Sequence, residues 1–364
     1  MKTLNRILIT GGAGFVGSNL ALLFKEKFPQ CQITIFDNLK RRGSELNLVR
    51  LKTKGVEFVH GDIRVPQDFE SLTGQYDLFI EASAEPSVLA GYRPGESPSY
   101  ALHTNLTGTI HCLEWAAKHT KQILFLSTSR IYGIEAMKSI PLTETTTRFS
   151  VDKNATIKGL TDGAITEEFS TKGARSIYGT TKLASELLVE EYCRSFGINA
   201  LINRCSVICG PWQMGKVDQG VFTLWMARHH YSAKKAPTLS YTGFGGKGFQ
   251  VRDLLHPKDL FDLLLTQLEK PNLWDGSSYN AGGGMENSTS LRELTTLCEK
   301  ITKNELTIGS VQDTAPVDVP YYVTNNTKVA QAFGWKPKRN LETIFSEIHG
   351  WIQENHDSLK HLFI

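Results

Sequence analysis

Tyr178-Gly179-Thr180-Thr181-Lys182 sets a phenol and an ammonium four residues apart, on one face of a helix. A free tyrosine titrates near about pH 10. A neighbouring positive charge favours the phenolate, which makes Tyr178 a candidate general base for an alcohol. Ser127-Thr128 closes an apolar run upstream, and a hydroxyl there can hydrogen-bond the same alcohol and align it for proton loss. Tyr-x-x-x-Lys alone is common, and an exposed helical pair without chemistry is the plain alternative.

A second pattern gives the pair a partner. The apolar run Arg6–Thr10 ends in Gly11-Gly12-Ala13-Gly14-Phe15-Val16-Gly17 and then enters a helical pattern. Glycines at 11, 14 and 17 permit a tight turn, close approach of a pyrophosphate, and close helix–strand packing; the free amides of the helix start favour the phosphate charge. Asp37 closes the next strand twenty residues after Gly17, followed by Asn38. A carboxylate there accepts from ribose hydroxyls and repels a 2′-phosphate, so NAD is expected as cofactor. Lys40-Arg41-Arg42 keeps NADP open, although by itself the run reads as a solvated loop. His60-Gly61-Asp62-Ile63 follows a third strand, with Asp62 placed for an adenine amino group and Ile63 for the ring. With a dinucleotide bound, Lys182 is expected to hold the nicotinamide ribose while Tyr178 and Thr128 face the alcohol.

These residues need a scaffold that delivers strand ends to one edge. Short apolar runs at Arg6–Thr10, Gln32–Asp37, Val56–His60, Leu78–Glu81, Gln122–Ser127 and Ala200–Ile208 alternate with helical patterns at Ser18–Phe28, Leu106–His119 and Tyr178–Phe196. That alternation predicts an α/β fold, a Rossmann-type doubly wound parallel sheet. From about 133 to 175 the chain is polar and aperiodic, and a lid over the substrate is preferred to a disordered loop. After Gly210 the rhythm breaks into shorter elements separated by glycines. The expected division is a dinucleotide-binding part over 1–209 with 251–282, interleaved with a smaller substrate part over 210–250 with 283–364.

Composition narrows the partners. Among 364 residues, 40% hydrophobic and 21% charged content are ordinary for a globular chain, and a net charge of +3 does not argue for nucleic acid. No stretch reaches the length of a membrane span. Residues 1–6 run straight into Ile7-Leu8-Ile9 without a signal-peptide core, so a cytoplasmic location is expected. The six cysteines lack a Cys-x-x-Cys pair; Cys205 and Cys209 read as a buried strand end, and no metal site is expected.

The chain resembles the NAD-dependent sugar-nucleotide epimerase/dehydratase family of extended short-chain dehydrogenases/reductases, from Arg6 to about Pro337. Besides the motifs above, the likeness rests on Asn105-Leu106-Thr107-Gly108-Thr109, on Ser127-Thr128-Ser129-Arg130-Ile131-Tyr132-Gly133, on Gly248-Phe249-Gln250-Val251-Arg252-Asp253, and on Phe333-Gly334-Trp335-Lys336-Pro337. It implies a nucleotide-sugar substrate, contacts to the cofactor from Ser83, Asn105 and Cys205, and contacts to the substrate from Glu85, Ser129, Arg130 and Gln219, with Arg252 on the diphosphate. It also implies an enzyme of carbohydrate biosynthesis, and a homo-oligomer, dimer or tetramer. The dehydratase branch carries an Asp-Glu pair just after the catalytic threonine; here Ser129 and Arg130 stand there, so dehydration lacks its proton carriers. Asp37-Asn38-Leu39 with the basic run, Thr128 through Gly133, the long insertion before Tyr178 and Asp218-Gln219-Gly220 resemble instead the branch that epimerises CDP-linked dideoxyhexoses at C2. The same Tyr, Lys and Thr also serve C4 epimerisation of UDP-sugars, a net oxidoreductase, or a dinucleotide-binding protein without turnover. The chain departs from the family at Val207, where an asparagine is usual, at Pro320, near which an arginine is usual, and at Glu85, where a glutamine is usual.

Overall fold

The computed structural model describes residues 4–217, 219–232 and 239–364; Asp218 of the Asp-Gln-Gly motif lies outside the described residues. Seven parallel strands form the central sheet: β1 (Arg6–Thr10), β2 (Gln32–Asp37), β3 (Glu57–His60), β4 (Leu78–Glu81), β5 (Gln122–Thr128), β6 (Asn199–Cys205) and β7 (Ser278–Ala281). Their spatial order is β7-β6-β5-β4-β1-β2-β3, every neighbouring pair running parallel. The order reverses between β1 and β4, where the chain leaves the sheet in opposite directions and opens a crevice at the strand C-termini.

Side-chain alternation along the strands builds a layer on each face. On β1, Ile7 and Ile9 pack with Leu20, Phe24 and Leu260 from the helices Phe15–Lys27 and Pro257–Leu268. Leu8 packs on the opposite face with Phe79, Phe125, Trp115 and Val189, where the helices Gly108–His119 and Ile177–Phe196 lie. The helix before β5 begins earlier than its periodicity predicts: Ser99–Leu102 runs into a π-helical turn at His103–Thr107 and on into Gly108–His119.

The predicted strand over 200–208 divides. β6 ends at Cys205, and Val207–Ile208 joins a second, smaller sheet by pairing with Val251–Leu255, which also pairs with Ser288–Ser290 and Tyr321–Tyr322. Around that sheet the helices Val221–Tyr231, Leu291–Thr302 and Leu341–Glu354 share a core of Trp225, Leu294, Phe345 and Trp351. Ser278–Ala281, which carries no apolar run, is the seventh central strand.

Residues 133–175 are not a lid. They form a short helix, Ile134–Lys138, and two small hairpins, Leu142–Glu144 with Phe149–Val151 and Leu160–Thr161 with Ala164–Ile165. Ile134, Met137, Ile140, Ile165 and Phe169 are buried against Val317, Val319 and Tyr322. Ile165 donates to the Val323 carbonyl at 2.7 Å and accepts from the Asn325 amide at 2.9 Å. Arg148 pairs with Glu293, whose carboxylate also completes the capping box of Leu291–Thr302. Apolar burial and these bonds tie the segment to the small half, and none of its residues lines the large cavity.

Among the described residues, no helix is long and apolar enough to cross a membrane. Nor does any group of three or more His, Cys, Asp or Glu among them suit a metal ion. All six cysteines are free, five of them buried.

Candidate active site

A cavity of about 1200 Å³ runs from the crevice between β1 and β4 into the small half. At its first end, the turn after β1 is held by the Gly11 amide donating to the Phe36 carbonyl at 2.9 Å. A Cβ on Gly17 would lie 2.4 Å from the Gly11 carbonyl oxygen, so only glycine lets the helix start this close to the turn. Asp37 ends β2 with one carboxylate oxygen accepting from the Ala13 amide at 3.1 Å and the other from the Leu39 amide at 2.8 Å. Burial pushes this carboxyl up, and the amides of Leu39, Ala13 and Gly14 oppose it. The carboxylate is therefore fixed at the cavity edge, where it suits a ribose diol and opposes a 2′-phosphate. The glycine turn and this fixed acid fit NAD.

The basic run after β2 is not a solvated loop. Arg41 donates to the Met214 carbonyl at 2.7 Å and to the Gln219 side chain at 2.8 Å, and Arg42 donates to the His361 carbonyl at 3.0 Å. These arginines clamp the first end of the cavity to the small half. Gln219 thus lines the cavity with its amide oxygen already engaged.

At the reacting end, Thr128 is the last residue of β5 and Tyr178 the second of the helix Ile177–Phe196. Ser176 caps that helix, accepting from the Gly179 amide at 3.1 Å. A Cβ on Gly179 would sit 2.1 Å from the Arg130 carbonyl oxygen, so this glycine sets how closely the phenol's helix meets the loop after β5. Burial pushes the Tyr178 phenol up to about 12; the Thr128 hydroxyl, hydrogen-bonded to it, and the Arg130 charge pull it down, while Cys205 and Glu81 push it up.

Lys182 lies one turn further in, with its ammonium 3.5 Å from the Glu81 carboxylate, both side chains 2% exposed, and 4.1 Å from the centre of the Phe125 ring. Glu81 ends β4 and also accepts from the Ser83 amide at 3.1 Å. Burial pushes its carboxyl up, and Lys182 opposes that shift. One turn beyond, Glu186 accepts from Ser127 and from Arg204 of β6, the nearest Arg204 contact being 2.7 Å. Two successive carboxylate contacts therefore bind this helix to β4, β5 and β6.

The cavity gathers most of the expected residues: Gly11, Gly14, Phe15, Val16, Gly17, Asp37, Asn38, Ile63, Ser83, Cys205, Glu85, Thr128, Ser129, Arg130, Tyr178, Lys182, Gln219 and Arg252 all line it. Asp62 and Asn105 do not. The Asp62 carboxylate is engaged by Arg64 at 2.6 Å and by Asn38 at 2.9 Å. Burial raises its carboxyl, but those bonds prevail and hold it down at about 2. Asn105, in the π-helical turn, accepts from the Glu85 amide at 2.7 Å and donates to the Glu85 carbonyl at 3.0 Å. It shapes the loop after β4 from behind, consistent with the functional company such turns keep.

Arg252 donates to Asp318 at 3.0 Å and to the Val319 carbonyl at 2.6 Å, and Arg130 lies 3.8 Å from the same carboxylate. Burial pulls the Arg252 guanidinium down to about 10. Two arginines sharing one acid leave positive charge facing the cavity, which suits a diphosphate. Glu81, Trp212, Arg228 and Asp318 were missed in the sequence. Glu81 alone had a signal there, a carboxylate ending an otherwise apolar strand.

The model of the NAD dependent epimerase/dehydratase family matches residues 7–282. CDP-paratose 2-epimerase of Salmonella typhi is 30% identical over 355 residues, covering 95% of this chain and 98% of that one. A dTDP-glucose 4,6-dehydratase of Mycolicibacterium smegmatis is 26% identical, over 96% of this chain and 94% of its own. The UDP-glucose 4-epimerase of Thermotoga maritima, solved with UDP-glucose, shares the fold with a TM-score of 0.75 at 23% identity, over 96% of this chain and 99% of that one. With the glycine turn, the strand-end acid and the Tyr–Lys pair in one cavity, the chain belongs to the NAD-dependent epimerase/dehydratase family, and its cofactor is NAD.

Proposed function

We propose that the protein is a nucleotide-sugar epimerase that inverts C2 of a CDP-linked dideoxyhexose, the reaction named for its relative CDP-paratose 2-epimerase. One observation carries the choice of epimerisation over dehydration. The positions after Thr128 hold Ser129 and Arg130, and among the described residues the only carboxylates lining the cavity are Asp37, Glu85 and Asp318. Asp37 belongs to the cofactor end, Glu85 accepts from the Ser87 amide at 3.1 Å, and Asp318 faces two arginines. None is a free acid–base pair beside Tyr178.

Bound NAD would supply a reversible hydride acceptor for the alcohol carbon. Tyr178 removes the hydroxyl proton and later returns it to the re-formed alcohol. Thr128 holds that oxygen in line with the phenol. Lys182 holds the nicotinamide ribose and supplies positive charge beside the phenol. Arg252 and Arg130 hold the diphosphate, leaving the planar keto sugar free to present its other face. Gly11, Gly14 and Gly17 admit the pyrophosphate, and Asp37 takes the adenosine ribose. Phe15, Val16, Asn38, Ile63, Ser83 and Cys205 would pack along the bound cofactor, and Glu85, Ser129 and Gln219 would line the sugar nucleotide. The absence of net redox implies a cofactor retained through turnover.

The test is a parallel assay of CDP-paratose, UDP-glucose and dTDP-glucose with the purified protein. The expected result is C2 inversion of CDP-paratose, no C4 inversion of UDP-glucose, and no 4-keto-6-deoxy product from dTDP-glucose. Turnover of UDP-glucose or dTDP-glucose in preference to CDP-paratose overturns the reading.

A further inference from the structure

A buried carboxylate behind the reacting end, paired with Lys182, has no part of its own in the mechanism above. Glu81 ends β4 at the point where the strand order reverses, and its carboxylate meets the Lys182 ammonium at 3.5 Å with both side chains almost wholly buried. One Glu81 oxygen accepts from the Ser83 amide; the other makes no hydrogen bond, so the lysine is its one charged contact among the described residues. Thr10 of β1 and Cys112 of the helix Gly108–His119 complete the polar surroundings, and the Phe125 ring covers the ammonium from β5. Around the phenol stand Thr128, Cys205, Arg130 and the same Glu81. A carboxylate taken out of water is costly unless it is paired, so this one holds its partner tightly.

We infer that Glu81 is a positioning residue for Lys182: it fixes the ammonium at the back wall of the cavity and offsets part of the charge that Tyr178 feels. The inference rests on Tyr178 and Lys182 acting as proposed, but not on which sugar is turned over. Its consequence is a phenol held in its neutral form more firmly than an unpaired lysine would allow, with the oxidised cofactor's positive ring needed to draw the proton off.

The test titrates the phenol directly. NAD-loaded protein is jumped to a series of alkaline pH values in a stopped-flow instrument, and the ultraviolet absorbance of ionised phenol is read before the fold responds. Subtracting the Tyr178→Phe counterpart of each variant isolates Tyr178, and no sugar is present. Glu81→Gln is expected to lower the midpoint by about one pH unit or more, the size expected when a close cation loses its counter-charge. In a Lys182→Met background the same substitution is expected to move it by less than a third as much, because the lone buried carboxyl there is protonated. An unmoved midpoint in Glu81→Gln overturns the inference, as does an equal fall in the Lys182→Met background. Should Glu81→Gln fail to fold, Glu81→Asp withdraws the carboxylate by one methylene and is expected to give a smaller fall; no fall overturns the inference equally. Because the readout needs only bound NAD, a wrong substrate assignment leaves it untouched.

Discussion

At the scale of single residues, the proposed chemistry turns on one buried hydroxyl. Burial holds the Tyr178 phenol up at about 12, opposed by Thr128 and Arg130. Below that midpoint the phenolate fraction rises tenfold per pH unit, so turnover is expected to climb with pH until the cofactor-bound midpoint is reached. The pH dependence of kcat checks this; a profile flat across the neutral range contradicts a phenolate base. Tyr178→Phe is expected to lower kcat by about 10²–10⁴-fold while NAD remains bound, read by turnover and by absorbance of the isolated protein. The pair and the glycine turn are legible in sequence because each is a short local pattern. Glu81 shows in the sequence only as an acid ending an apolar strand; its pairing with Lys182, far along the chain, comes from the packing of helix on sheet. Asp62 misleads for the opposite reason: its neighbour Arg64 folds back onto it at 2.6 Å, which no spacing rule anticipates.

At the scale of elements, the helix Ile177–Phe196 is what turns spacing into geometry. Its start is set by the Ser176 cap and by Gly179, whose missing Cβ lets the Arg130 carbonyl approach. Gly179→Ala places a methyl 2.1 Å from that backbone oxygen, so helix and loop must part. We expect a severalfold or greater loss in kcat with the fold retained, checked by turnover alongside circular dichroism. Activity equal to the parent protein contradicts this account of the helix. Elements with apolar runs were legible: β1, β2, β4 and β5 fall within a residue of their expected bounds. β7 was hidden because its sequence is Ser-Tyr-Asn-Ala. Its Asn280 is fully buried, accepting from the Tyr132 hydroxyl at 2.7 Å and donating to the Ile165 carbonyl at 3.0 Å. Hydrogen bonds, rather than hydrophobicity, make that strand a core strand.

At the scale of the whole molecule, the small half carries its own acid sensitivity. His230 on Val221–Tyr231 meets His349 at 3.3 Å and His356 at 2.9 Å, joining three helices. Burial and the two neighbouring imidazoles pull His230 down to about 4. The folded protein then binds this proton less readily than the unfolded chain, whose histidine titrates near 6.5. The stability it contributes is present above about pH 6.5 and is lost as pH falls towards about 4. Denaturant unfolding at stepped pH is expected to show that decline, shallower in His230→Gln, with His256, also pulled down to about 4, accounting for a remainder. An identical decline in the variant contradicts this assignment. The loss of rhythm after Gly210 is where the chain begins to supply the helices packed around the second, smaller sheet. The docking of 133–175 was not legible, because its buried residues are scattered among Thr, Lys and Glu without a period, and its partners lie near 320.

That docked segment has a mechanical consequence. It departs from the sheet just past Thr128 and returns to the helix just ahead of Tyr178, and midway Ile165 is bonded to Val323 and Asn325. The two hydroxyls and the region near 320 are thereby braced like the feet of one tripod. Trp212, Gly215 and Leu239 line the same cavity but take no part in that brace. The placing of Thr128 against Tyr178 is thus built into the path of the chain between them and does not wait for a ligand to set it.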